Sequence, residues 1–147
     1  MALTKIGDAG MPAGAVLQVV EGTRTDGANT TSASYVDAGL SAAITPSSSS
    51  SKVLVIVAVG LGNTSAATNN NVRILRDSTE VRSFSRVSFQ ANGHVSAHQA
   101  FTVLDSPSTT SSTTYKLQYM TDGGNFRIND SSGDTSVATI TLIEIAG

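Results

Sequence analysis

A chain of 147 residues is long enough to bury one hydrophobic core and short enough to expect a single domain. Charged residues are only 14% and the formal net charge is −2, so no basic field is offered to a nucleic-acid backbone. No cysteine is present, which removes disulfides, thiolate metal sites and cysteine nucleophiles.

Residues 1–14, with Gly7, Gly10, Pro12 and Gly14, read as an extended arm ahead of a domain spanning 15–147. The arm lacks the basic start and apolar core of a signal peptide. No apolar run approaches the roughly 18 residues a membrane-spanning helix needs, so no membrane insertion is expected.

From residue 15 onward no window carries the i, i+3, i+4, i+7 spacing of an amphipathic helix. Short segments instead alternate or are apolar throughout, with Gly, Asn, Asp, Ser and Pro between them. That rhythm predicts an all-β sandwich or barrel. Strands are expected at 15–20, 34–37, 40–45, 52–60, 71–76, 80–85, 87–91, 95–104, 114–120, 125–129 and 136–145.

The run "TPSSSSSKVLVIVAVG" sets five serines against a block of β-branched residues. The serines predict a solvated loop, since the residues before them cannot make the second domain a linker would require. The apolar block, Val53 to Val59, predicts a central strand covered on both faces, and a charge at Val55 or Ile56 is expected to stop folding. Tyr115, Leu117 and Tyr119 alternate with Lys116 and Gln118, as in a strand with one wet face. Turns are expected at "RDSTE", "TDGGN" and "NDSSGD", and longer polar loops at 63–71 and 105–114. "SVATITLIEI", apolar on both faces, predicts a strand that is central or covered by a neighbouring subunit.

No motif points to catalysis. Gly60 and Gly62 follow a strand, but Ser65 stands at the third glycine position of a dinucleotide-binding turn and no helix follows. His94 and His98 are the two histidines; in a strand an i, i+4 pair lies about 13 Å apart, too far to share one ion. Asp130, Ser132 and Asp134 around Gly133 echo a calcium loop without its closing glutamate, which favours a hairpin turn. Arg73, Arg76, Arg82 and Arg86, near Asp77 and Glu80, form either an anion-binding patch or balanced surface ion pairs, and the second is favoured. Serine and aspartate are too abundant here for a Ser–His–Asp coincidence to carry weight, and no GxSxG elbow is present. A polysaccharide hydrolase would need two of Glu80, Asp105, Asp122 and Asp130 about 5–10 Å apart in a cleft.

The order of "MALTKIG…AGAVLQVVEGT", "YVDAGLSAAITPSSSSSKVLVIVAVG", "VRILRDSTEV", "LDSPSTTSSTTYKLQY" and "ATITLIEIAG" resembles a family of small marine-phage virion proteins. Such proteins occur in phages of cyanobacteria and other marine bacteria as structural or tail-fibre proteins. The long apolar strand, the "VRILRDSTEV" hairpin and the apolar last strand also resemble, more distantly, the trimeric jelly-roll heads of the tumour-necrosis-factor and complement type. The aromatic content, 5% with no tryptophan, departs from the aromatic-lined trimer cores of those heads. The resemblance implies a single antiparallel jelly-roll β-sandwich, a homotrimer with its terminal strands near the three-fold axis, and a place on the virion surface. The expected role is a non-enzymatic capsid decoration or cement protein. The alternative is a tail-fibre tip whose loops recognise host cell-surface glycans. Partners are then further copies of the chain, phage capsid or tail proteins, and such glycans. No catalytic, cofactor, metal or nucleic-acid site is expected.

Overall fold

A computed structural model describes residues 11–64, 69–87, 95–129 and 136–147. Among them the regular structure is all strand, in two antiparallel sheets with no helix. The strands are β1 (Val16–Arg24), β2 (Ala28–Thr30), β3 (Val36–Ile44), β4 (Lys52–Asn63) and β5 (Asn70–Arg76), then β6 (Thr79–Phe84), β7 (Val95–Asp105), β8 (Thr113–Thr121), β9 (Phe126–Ile128) and β10 (Ala138–Ile145).

β4 is the spine of the first sheet. β7 runs along one of its edges from Val53↔Asp105 to Asn63↔Val95. Its other edge takes β10 over Lys52–Ala58 and then β9 over Leu61–Asn63. β1 adds to the far edge of β10, and β2 to that of β9. The second sheet has the order β3-β8-β5-β6. The long strands therefore pair in a nested way: β1 with β10, β3 with β8, β4 with β7 and β5 with β6.

The side-chain period of two decides which residues meet between the sheets. Val53, Val55, Val57, Val59 and Leu61 of β4 point inward, as do Ile140 and Leu142 of β10. They face Leu40 and Ile44 of β3, Tyr115, Leu117 and Tyr119 of β8, and Val72 and Ile74 of β5. All are essentially without solvent contact, and each such side chain contributes about 1.5–3 kcal/mol by its burial. Phe84 and Phe101, with centroids 4.8 Å apart, close the β6–β7 side. The opposite side is a tight seam, where a Cβ on Gly22 of β1 would overlap the Ser41 carbonyl of β3.

Several expected elements move. Segments 34–37 and 40–45 are one strand, β3, joined through Gly39 at φ +67. β4 continues through Gly60 and Gly62, which pair with His98 and Ser96, so these glycines lie in a strand rather than a loop. β2 carries too short a sequence, "ANT", to show a period. The block Val53–Val59 is covered by the core on one face only: Leu54 and Ile56 are half-buried on the outer face and Ala58 is exposed. β10 is interior to its sheet, between β1 and β4. Most of the expected strand 87–91, residues 130–134 of "NDSSGD", and residues 1–10 of the arm lie outside the described residues.

Candidate interaction surfaces

The two outer faces of the sandwich differ in chemistry. On the first sheet, strand register lines up outward side chains in rows: Val19, Ile143, Leu54 and Leu104; then Glu21, Thr141, Ile56 and Thr102; then Thr23, Thr139, Ala58 and Ala100. Val16, Ile145 and Lys52 form a further row at the edge. Glu21 and Lys52 are the only charges in these rows. Val16 and Leu104 are 53% and 52% exposed, two of the most exposed large aliphatic residues in the chain. These rows bring aliphatic side chains of four strands onto one outer face.

The outer face of the second sheet is polar and internally bonded. Arg73 of β5 donates through Nε and Nη2 to Gln118 Oε1, at 2.9 and 2.7 Å, and through Nη1 to Glu80 at 3.1 Å. Gln118 Nε2 donates in turn to Asp37 at 2.9 Å, and Lys116 pairs with the same carboxylate at 3.3 Å. The Gln118 hydrogen bond and the Lys116 ammonium hold the Asp37 carboxyl below its ordinary pKa. The Arg73 guanidinium lies 4.1 Å from the centroid of the Tyr35 ring.

Beside this network β3 bows away from β8. Asp37 pairs with Gln118 and Ser41 with Lys116, so residues 38–40 stand opposite Leu117 alone. The bulge opens a cleft of about 180 Å³ lined by Asp37, Gly39, Leu40, Ser41, Lys116 and Leu117. Arg24, reaching across from β1, props it: Nη1 donates to Ala38 O at 2.8 Å, Nε to Asp26 O at 2.8 Å and Nη2 to Gly27 O at 3.2 Å.

Polar clasps close the ends of the sandwich. At one end Glu144, inward-facing on β10 and fully buried, accepts from Ser47 N at 2.6 Å, from Ser47 Oγ at 2.5 Å and from Gln18 Nε2. Burial alone would raise its pKa, but these donors outweigh that and hold it below the ordinary glutamate value. The serine loop is thus anchored, not merely solvated. At the same end Asp105 of β7 accepts from Arg76 Nη1 of β5 and from Tyr115 Oη of β8, each at 2.7 Å, tying the two sheets together. Burial and the Asp105 carboxylate push the Tyr115 phenol well above its ordinary pKa. At the other end Asn63, Asn70 and Thr121 are buried together, with Asn63 Nδ2 donating to Asn70 Oδ1 at 2.5 Å and to Thr121 Oγ1 at 3.3 Å.

The residues weighed from sequence fall into these frames. The arginines do not form one patch: Arg73 bonds on the outer face, Arg76 in the end clasp, and Arg86 Nε donates to Asn69 Oδ1 at 3.0 Å. The ion pairs are Arg73–Glu80 and Arg76–Asp105, while Asp77 at φ 52 instead accepts from Thr114 N. His98 is exposed, 3.4 Å from Ser136 Oγ, and His94, Asp130, Ser132 and Asp134 lie outside the described residues. Among the described residues no three His, Asp or Glu side chains come together as metal ligands. Asp105 touches Tyr115 near the start of β8 and Asp122 follows its end, roughly 23 Å along the strand, so these two do not share a cleft. Asp122 is held by Asn69 N at 2.6 Å, and Glu80 by Arg73.

Sequence reasoning missed the Asp37–Gln118–Arg73 network and the Glu144 anchor. The second had a visible signal: a lone acid in the inward register of the apolar strand "ATITLIEI".

No family model matches the chain, and no curated protein sequence matches it. Solved structures do. The VP2 capsid protein of infectious bursal disease virus, in T=1 particles, superposes on 88% of this chain with a TM-score of 0.50 and 13% sequence identity. The chain spans 36% of the length of that protein. At that identity the likeness is one of fold.

Proposed function

We propose that this chain is a non-enzymatic structural protein of a bacteriophage virion, a capsid decoration or cement protein displayed on the particle surface. It is a jelly roll that assembles as a homotrimer through the outer face of its first sheet. The observation that carries the proposal is the aliphatic face of Val16, Val19, Leu54, Ile56, Leu104, Ile143 and Ile145, set against the self-bonded polar face of the other sheet. Packing copies against that face removes it from water and brings β1 and β10, the terminal strands, toward the symmetry axis. The sheet orders β1-β10-β4-β7 and β3-β8-β5-β6, with their nested pairs, support the jelly-roll assignment. The fold likeness to a viral capsid protein supports the virion role.

Light scattering on the purified chain is expected to give three times the 15.0 kDa chain mass. Replacing Ile143 with lysine is expected to give folded monomers. A wild-type chain that stays monomeric at high micromolar concentration overturns the assembly. Copy number in purified particles separates the roles: many copies per capsid for a decoration protein, a handful for a tail-fibre tip.

A further inference from the structure

We infer that the bulge of β3 builds a binding cleft for a single neutral sugar ring, formed by Asp37, Ser41 and Lys116 around the bare backbone of Gly39. The cleft lies on the sheet opposite the aliphatic face, so the inference does not depend on the assembly proposed above.

The bulge is a constructed feature. Gly39 occupies the outward position between Asp37 and Ser41 and lines the cleft with backbone alone. Its φ of +67 is the left-handed conformation that glycine adopts without strain, and a Cβ there would fall on Arg24 Nη1. Arg24 spends its guanidinium on three backbone carbonyls, one of them Ala38 O inside the bulge. β3 is an edge strand of its sheet, where bulges are common, and bulges also re-aim side chains at sites.

The lining selects the ligand. Asp37 and Lys116 carry opposite charges, so the cleft is neutral overall and favours neither an anion nor a cation. A carboxylate that only accepts, an ammonium that only donates and the Ser41 hydroxyl that does both match vicinal hydroxyl groups, each of which donates and accepts. The Asp37–Lys116 pair, at 3.3 Å and exposed, is weak enough for two hydroxyls to enter between its members. Asp37 is pre-oriented by Gln118, which Arg73 fixes from the other side, so little ordering remains on binding. The volume, about 180 Å³, is below the roughly 300–1,000 Å³ of sites for drug-sized molecules, which suits one ring rather than a chain of them.

The test is titration of the full chain, followed by amide NMR, with glucose, galactose, mannose and N-acetylglucosamine in turn. Saturable shifts centred on Gly39, Ser41 and Lys116 are expected with at least one of them. Asp37→Asn, at an exposed position, and Lys116→Gln, half-buried on the outer face, should each weaken binding roughly tenfold or more by removing a charged hydrogen-bond partner. Arg82→Ala, an exposed charge on the same sheet, should leave it unchanged. The inference is overturned if no sugar gives saturable shifts, if the shifts map to the loops at 63–71 or 105–114, or if neither cleft variant weakens binding. Monomer or trimer, the chain answers this test independently of its assembly.

Discussion

Val55 and Ile56 are neighbours with opposite fates. Val55 is fully buried between the sheets, whereas Ile56 stands half-buried on the outer face. Val55→Asp leaves an unpaired carboxylate in the core, a cost of several kcal/mol against a net domain stability of roughly 5–15 kcal/mol, and is expected to abolish folding. Ile56→Asp is expected to stay folded by circular dichroism, within about 1 kcal/mol of wild type. Charge on that strand is therefore tolerated on one face only. Glu144 sets a pH dependence at the acid end. Its folded pKa is depressed, so its contribution is present above the ordinary value near 4.3 and is lost as pH falls through the folded value. Glu144→Gln should cost about 2 kcal/mol at neutral pH in urea unfolding, and the gap to wild type should narrow as the solution is acidified. At the alkaline end Tyr35, Tyr115 and Tyr119 are all raised, chiefly by burial, and they are the chain's 3 tyrosines. Tyrosinate absorbance in the native protein should rise only above pH ~10, and stability should fall there, because the unfolded chain ionises first.

At the scale of elements, β3 and its seam with β1 depend on two glycines. Gly22→Ala drives a Cβ into the Ser41 carbonyl, and that backbone atom cannot swing aside. Gly39→Ala forces a left-handed conformation at about 1–2 kcal/mol and displaces Arg24 from Ala38 O. Both variants should melt below wild type, and Gly22→Ala should be the lower because its clash is backbone to backbone. Period-two alternation made β8 legible, since Tyr115, Leu117 and Tyr119 face the core and alternate with Lys116 and Gln118, whereas the block Val53–Val59, apolar at every position, concealed which face of β4 is the inner one. The alternation split β3 in two because a bulge breaks the period, and it gave no sign of β2, whose three residues are too few to show one.

At the scale of the whole molecule, the outer face of the first sheet carries aliphatic rows and that of the second a polar network, and the proposed assembly is tested on the former. Leu54→Glu and Ile143→Lys both alter the aliphatic face from adjacent strands. Each alone should shift the sedimentation profile to the monomer. Combined, they place opposite charges on paired residues, so a partial return of the assembled species would locate the interface on this row. Arg82→Ala, on the other sheet, should leave the profile unchanged. The fold likeness to a capsid protein at 13% identity carries no side chains with it, so the surface chemistry is this chain's own.

The amino-acid sequence by itself determined the all-β class, the strands of the core and the absence of a thiol chemistry, because period, β-branching and composition are local properties. Only the tertiary structure decided that, among the described residues, the core covers one face of β4 and not the other, that Glu144 anchors the serine loop, and that Asp37, Gln118 and Arg73 form one network. Those depend on register between strands far apart in sequence, and register is a property of pairing that no single segment carries.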